Sequence, residues 1–333
     1  MSRLLWKPWV RSAIVTAGQL FANAFLNMSG ANSVLRGDAM AIMMLNGCLV
    51  REEEAVVSVF DHGLLYGVGA FETLRLYEGH PFLLDDHLNR LNEGLKRMSV
   101  RPPYTTREWE RQIGELTERN HLQNASVRIT VTGGAEGLGL TASSYERPST
   151  MIFIRPLPFE PGELFHKGKR LQVVSVPRQA PGGVEKYKTS NYLNSVLARQ
   201  EVEDFPQTEG VMLTPDGALA EGIVSNLFFV SGGVLHTPSL ESGILAGVTR
   251  HWVMELAGYL GFRVKEGRYT LEDLQQADEI FVTNSVQEMV PVYEFSGKPK
   301  RNPVITQRLY EAYQTFTTRL RSAGELRGRK LKQ

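Results

Sequence analysis

The sequence predicts two α+β domains, and three observations carry that reading. At 333 residues the chain has about two domains' worth of length. Strand-like segments come in runs with helices segregated between them, which argues against a doubly wound parallel sheet. A break falls where Pro156, Pro158 and Pro161 crowd beside Gly162, as expected of an interdomain linker. The expected layout is an N-terminal extension (1–42), a smaller domain (43–155), a linker (156–164), a larger domain (165–325) and a basic tail (326–333).

The extension stands apart. Arg3, Lys7 and Arg11 precede a mostly apolar stretch, Ala13 to Leu26, broken by Gly18, Gln19 and Asn23. It loosely resembles a signal peptide but is too polar for a membrane span. Because the rest of the chain reads as cytosolic, a disordered extension is expected, or a start placed too early with Met43 or Met44 as the working start.

From Met44 the pattern becomes ordered. Met44–Leu45 and Cys48–Val50 flank Asn46-Gly47, a turn pair that favours positive φ, so a hairpin is expected. A strand over Val56–Phe60 comes next, then a glycine-rich passage, a strand over Glu72–Tyr77 and a second hairpin through Glu78-Gly79-His80 to Pro81–Leu84. Leu84, Leu88, Leu91, Leu95 and Met98 recur every three or four residues, the period of a helix face, behind the capping candidates Asp85 and Asp86. A helix near Arg107–Glu118 and strands over Ser126–Thr132 and Thr150–Arg155 complete the first half.

Past the linker, a strand near Leu171–Val176 precedes a loop with Pro181-Gly182-Gly183 and a helix from about Asn191 to Val202. Val211–Leu213 and Leu227–Val230 read as strands separated by the turn Pro215-Asp216-Gly217. A helix starts near Thr249, a strand covers Ile280–Thr283, a last helix runs from about Thr306 to Leu320, and the tail from Arg327 to Lys332 is expected to be solvated.

Composition removes several function classes. Lys and Arg number 37 against 36 Asp and Glu, which gives no electrostatic reason for a nucleic-acid or acidic-membrane partner. The single cysteine, Cys48, rules out an intramolecular disulfide, and no His/Cys group has structural-zinc spacing. A reducing cytosol suits such a chain. Gly63, Gly67 and Gly69 lie in DHGLLYGVGAFET, which is not G-x-G-x-x-G and leads into a strand, so a dinucleotide reading fails. There is no G-x-S-x-G elbow either.

Lys188 lies just before a helix, between small polar residues and a Tyr/Leu face. A Schiff-base lysine needs a depressed pKa and a place out of bulk water; spacing alone favours an ordinary exposed lysine at a helix start. Gly247-Val248-Thr249 opens a helical run, where free N–H groups and the Thr249 hydroxyl suit a phosphate dianion. Arg90 could bring its fork of donors to the same phosphate. Ser285 could form a capping box with Glu288, which leaves room for a second role.

Six segments in one order carry a resemblance. They are Tyr66-Gly67 leading to Phe71-Glu72-Thr73; His87-Leu88-Asn89-Arg90-Leu91; Lys188-Thr189-Ser190-Asn191-Tyr192-Leu193; Glu221 to Phe228; Gly247-Val248-Thr249-Arg250; and Ala277-Asp278-Glu279 running to Thr283-Asn284-Ser285. From Met44 to about Arg321 the chain resembles the fold-type-IV enzymes dependent on pyridoxal 5′-phosphate, a group of aminotransferases and aminodeoxychorismate lyases built on the D-amino acid aminotransferase-like two-domain fold. The resemblance implies that Lys188, not its neighbour Lys186, carries the cofactor, that Glu221 faces the pyridine nitrogen, and that Tyr192 bonds the 3′ oxygen. Arg90, Val248, Thr249 and Ser285 would hold the phosphate. It also implies a homodimer with a small-molecule substrate.

Within the group, the segments Tyr77–Asp85, Thr237–Leu245 and Thr283–Glu288 look most like the lyases, which release 4-aminobenzoate and pyruvate from 4-amino-4-deoxychorismate. A branched-chain or D-amino acid aminotransferase is the alternative. Where D-amino acid aminotransferases place an arginine as a carboxylate trap, this chain has Gly133, and Arg128 is the candidate substitute. The substrate pocket is expected near Tyr66, Phe71 and Arg128.

Overall fold

The computed structural model of the chain describes residues 41–140, 143–160, 162–178, 186–300 and 303–328. The extension up to residue 40, the Pro181-Gly182-Gly183 loop and the end of the basic tail lie outside the described residues. From Ile42 onward the chain forms one compact unit. Ile42 itself is already part of it: its N–H donates to Asn120 Oδ1 and its carbonyl accepts from Asn120 Nδ2.

The first sheet is antiparallel throughout. It comprises β1 (Ile42–Leu45), β2 (Cys48–Arg51), β3 (Gly69–Tyr77), β4 (His80–Pro81), β5 (Ala125–Thr132) and β6 (Ser149–Pro156), in the order β2-β1-β6-β5-β3-β4. Three helices accompany it: α1 (His62–Tyr66), α2 (Leu84–Arg97) and α3 (Thr106–Asn120). Side chains alternate across β3. Leu74 and Leu76 meet Leu84, Leu88, Leu91 and Leu95 of α2 in one core, and Phe71 and Thr73 face a cavity on the other side. The α3 helix starts at a full capping box between Thr105 and Glu108, a motif worth about 1 kcal/mol.

The second sheet is mixed. Its strands are β7 (Lys169–Val173), β8 (Thr208–Leu213), β9 (Leu219–Gly222), β10 (Asn226–Ser231), β11 (Val234–Pro238), β12 (Val264–Gly267), β13 (Glu279–Asn284), β14 (Glu288–Phe295) and β15 (Lys298–Pro299). The order is β12-β11-β10-β13-β14-β7-β8-β9, with β15 on β14. The pairs β11–β12, β14–β7 and β7–β8 are parallel. The helices here are α4 (Glu163–Lys167), α5 (Leu193–Gln200), α6 (Val248–Tyr259), α7 (Leu271–Gln276) and α8 (Val304–Gln314). Trp252, Val253 and Leu256 of α6 and Leu309 and Tyr313 of α8 pack with Phe228 and Phe281 of the sheet. Tyr77 at the end of β3, with Phe82 and Leu83 just beyond, joins that same core, so the two sheets share apolar packing.

Several expectations change. Val56–Phe60 is not a strand: the segment joins neither sheet, and Val56 and Val59 are 77% and 67% exposed. Its apolar side chains face solvent. The Pro215-Asp216-Gly217 turn leads into β9, a strand with no clear sequence signal and the one that carries Glu221. Asp85 and Asp86 sit inside the first turn of α2, behind Leu83 at φ 55°, and accept bonds from Arg321, Ser322 and the Ala323 N–H instead of capping. The last helix stops at Gln314. The tail begins packed, with Leu326 buried and Arg327 paired to Glu255.

Candidate active site

The Lys188 segment is sewn onto the start of β3. Phe71 N–H donates to the Lys188 carbonyl at 2.8 Å, Ser190 N–H donates to the Gly69 carbonyl at 2.9 Å, and Ala70 and Thr189 form an isolated antiparallel bridge. So close an approach needs glycine at position 69. A Cβ there would lie 2.8 Å from Ser190 Oγ and 2.9 Å from the Val131 carbonyl. The Lys188 amine sits 4.6 Å from the Phe71 ring centroid and 3.5 Å from Tyr192 Oη. Burial, assisted by the nearby Arg90 guanidinium, lowers its pKa to about 8. Lys186 is exposed and stands outside the cavity.

The cavity has a volume of about 450 Å³ and lies between the two sheets. Nine of the ten residues singled out from the sequence line it: Phe71, Arg90, Arg128, Lys188, Tyr192, Glu221, Val248, Thr249 and Ser285. Tyr66 does not. It is 41% exposed, accepts a bond from the Gly139 N–H and sets its ring edge against His62. Arg128 pairs across the sheet with Thr73 and stacks its guanidinium 3.7 Å from the Phe71 ring centroid. Among the described residues it has no carboxylate partner. Pro158 and Phe159, from the expected linker, also line the wall.

Two buried glutamates bracket the lysine. Glu221 accepts from Asn226 Nδ2 and the Leu245 N–H, and its Oε1 lies 2.7 Å from Arg178 Nε. That Arg178 N–H is not aligned for a hydrogen bond, so the contact is an ion pair only. Burial wins over Arg178 and raises the Glu221 pKa. Burial would raise Glu72 too, but Arg90 grips it with two bonds of 2.7 and 2.6 Å, and His87 Nδ1 adds a third at 2.7 Å. The outcome is a pKa of about 2.

This changes the part expected of Arg90. Its fork is taken by Glu72, and a third N–H goes to the Ala246 carbonyl at 2.7 Å, bracing the chain just before α6. Two of its donors stay free of these bonds. Ser285 is not part of a capping box. Residues 285–287 form a turn capped by Asn284 Oδ1, while Glu288 turns away to Tyr77 and Arg75. Thr249 Oγ1 donates to Ser285 Oγ at 3.3 Å beside the start of α6. Glu72, His87 and Arg178 were missed as functional candidates. The first two sit inside the motifs named above but are paired only when the fold sets β3 against α2, and Arg178 carries no local signal.

The donor set fits pyridoxal 5′-phosphate. A carboxyl poised to share a proton suits a pyridine nitrogen, a helix N-terminus with two hydroxyls suits a phosphate, and a buried amine with a lowered pKa suits an aldehyde carbon. Thr283 Oγ1 and Asn194 Oδ1, buried in the same wall without a partner among the described residues, mark it as built for a polar occupant.

Comparison with known proteins agrees. The amino-transferase class IV family model matches residues 69–295. The aminodeoxychorismate lyase of Bacillus subtilis (strain 168) is 42% identical over 252 residues, covering 75% of this chain and 85% of that protein. A putative branched-chain-amino-acid aminotransferase of Methanocaldococcus jannaschii is 39% identical over 280 residues, covering 83% and 96%. The solved branched-chain aminotransferase of the thermophilic archaeon Thermoproteus uzoniensis, with norvaline, superposes with a TM-score of 0.77 at 32% identity, covering 84% and 95%. With the family model running from the start of β3 to the end of β14 and including the lysine between the sheets, the chain belongs to the class IV amino-transferase family.

Proposed function

We propose that the chain is a pyridoxal-phosphate-dependent lyase that converts 4-amino-4-deoxychorismate to 4-aminobenzoate and pyruvate. The observation that carries this is the 42% identity to the Bacillus subtilis aminodeoxychorismate lyase. The 39% match to a putative branched-chain aminotransferase supports a second reading, transamination at the same site.

Bound in the cavity, the cofactor supplies an electron sink for negative charge on the substrate carbon that bears nitrogen. Glu221 shares a proton with the ring nitrogen, Arg178 and the Leu245 N–H holding in check the rise in pKa that burial causes. Lys188, its pKa lowered to about 8, takes the proton from the substrate carbon and returns one to the enolpyruvyl group as the C–O bond breaks. Aromatisation drives the release of pyruvate. Tyr192, its phenol kept protonated by burial, accepts from the Lys188 amine and can donate its own hydrogen to the cofactor's 3′ oxygen. Arg128 offers the substrate a guanidinium not committed to a protein carboxylate, suited to a carboxylate group.

The same reading includes a homodimer. The segments around Phe60 and Ala135 are joined by the Asp61–Ala135 bridge and the Tyr66–Gly139 bond, and they expose Val56, Val59, Leu64, Leu138 and Leu140. An apolar surface of that kind suits a second copy. A cytoplasmic setting accords with the lone, exposed Cys48. No helix among the described residues is long and apolar enough to cross a membrane.

Enzymatically made aminodeoxychorismate should yield fluorescent 4-aminobenzoate. Incubation with L-isoleucine, L-glutamate or D-alanine, without a keto acid, should leave the cofactor absorbance unchanged. Loss of that absorbance with no 4-aminobenzoate would replace the lyase by the aminotransferase.

A further inference from the structure

Behind the phosphate end of the cavity, four side chains lie in a row that the reaction itself does not use. Glu72 Oε2 is 2.7 Å from His87 Nδ1, His87 Nε2 is 3.4 Å from Ser285 Oγ, and Thr249 Oγ1 reaches the same Ser285 oxygen at 3.3 Å. Glu72 and His87 are 1% and 2% exposed, so water does not compete for these contacts. Of the four, Ser285 and Thr249 line the cavity and the other two stand behind them.

We infer that His87 is a positioning residue for the cofactor phosphate, acting through Ser285. Glu72, gripped at both oxygens by Arg90, is a fixed carboxylate that can only accept, so His87 Nδ1 carries a proton. If Nε2 were bare, it would draw the Ser285 hydrogen to itself and leave oxygen lone pairs facing a phosphate dianion. With Nε2 protonated, it donates to Ser285 Oγ, and the Ser285 hydrogen is released towards the phosphate. Thr249 Oγ1 donates to the same Ser285 oxygen, so both its lone pairs are then satisfied and its hydrogen is the group left for the phosphate. Glu72 thus reaches the phosphate twice without touching it: through Arg90 it braces the Ala246 carbonyl before α6, and through His87 it orients the Ser285 hydroxyl.

The inference rests on the cofactor site and holds for either reaction, since the test measures binding without turnover. Apoenzyme is titrated with pyridoxal 5′-phosphate and, separately, with pyridoxal, which lacks the phosphate. His87→Asn keeps a donor for Glu72 but cannot reach Ser285. It should bind pyridoxal phosphate about 10- to 100-fold more weakly, the scale of a hydrogen bond to a charged group, with pyridoxal affinity unchanged. Combined with Ser285→Ala it should add no further loss. His87→Gln, whose amide can still donate to Ser285, should retain most of the preference for the phosphorylated form. Should the asparagine variant fail to fold, a His87→Gln protein as impaired as Ser285→Ala overturns the inference. So does an equal loss for both ligands, or losses that multiply in the double variant.

Discussion

The two sheets each bury one glutamate beside the reacting lysine, and the two carboxyls end in opposite states. Glu72 on β3 meets an arginine fork squarely, with two aligned bonds and a histidine as a third partner, and is held at a pKa of about 2. Glu221 on β9 meets Arg178 at a similar distance but without alignment, and burial prevails to raise its pKa. Both are buried, each beside an arginine, so burial alone does not decide. The number and aim of the partner's N–H groups do. One sheet therefore provides a permanent anion that organises side chains, and the other a carboxyl that can share a proton with a bound ring.

The largest expected effect tests the proton-sharing side. Glu221→Gln should cut turnover by about a hundredfold or more, the scale of losing a preorganised charged group at a reacting centre, while the visible absorbance of bound cofactor persists. If turnover survives, Glu221 is not the group that serves the ring nitrogen. Next comes the organising side. Glu72→Gln leaves Arg90 and His87 facing a neutral amide and should cost about 3–5 kcal/mol of folding stability, measured by urea denaturation.

Glu72 also has a pH signature. Its folded pKa of about 2 lies below its ordinary 4.5. Its contribution to stability is thus fully present above about pH 4.5 and is lost as pH falls towards 2, a span worth on the order of 3 kcal/mol. Acid unfolding of Glu72→Gln should be correspondingly flatter across that window; an unchanged slope would mean the grip on Glu72 is weaker than its geometry.

Lys188 sits between the two carboxyls, and its sign is the reverse. With a folded pKa of about 8 against an ordinary 10.5, the cofactor-free chain carries a penalty for the charged amine below pH 8. That penalty is relieved as pH rises from 8 to 10.5. Capture of pyridoxal phosphate by the apoenzyme should accelerate towards a plateau with a midpoint near pH 8, monitored by absorbance in stopped flow. A midpoint near 10.5 would place the amine in water.

How much of this contrast the sequence disclosed depends on the range of the contact. Lys188, Glu221, Thr249 and Ser285 each sit in a short ordered motif, and all four line one cavity. The α2 face was legible because a helix repeats its apolar positions locally. The short β9 strand was not, because its Leu219-Ala-Glu-Gly run has no alternation and is buried through pairing with a strand the turn brings back. The same limit hid the partner of Arg90. A lone arginine on a helix looks free until β3 sets Glu72 against it, 18 residues away in sequence. Tyr66 differs in the other direction: its motif neighbour Phe71 lines the cavity, whereas α1 leaves the tyrosine outside it.

The smallest expected effect probes why Glu221 differs from Glu72. Arg178→Met removes the misaligned cation and leaves Asn226 and the Leu245 N–H on the carboxyl. Arg178 acts to lower the Glu221 pKa, so its loss should raise that pKa further. The carboxyl then keeps its own proton to higher pH and serves the ring nitrogen less well, so the acid limb of the turnover profile should move to higher pH. At the optimum the loss should stay within about tenfold, the scale of one imperfect ion pair. The reverse change is equally informative: an arginine fork aimed squarely at Glu221 would turn it into a second Glu72, a fixed anion. If Arg178→Met instead matches Glu221→Gln at every pH, the cation does more than tune the carboxyl, and alignment is not what separates the two sites.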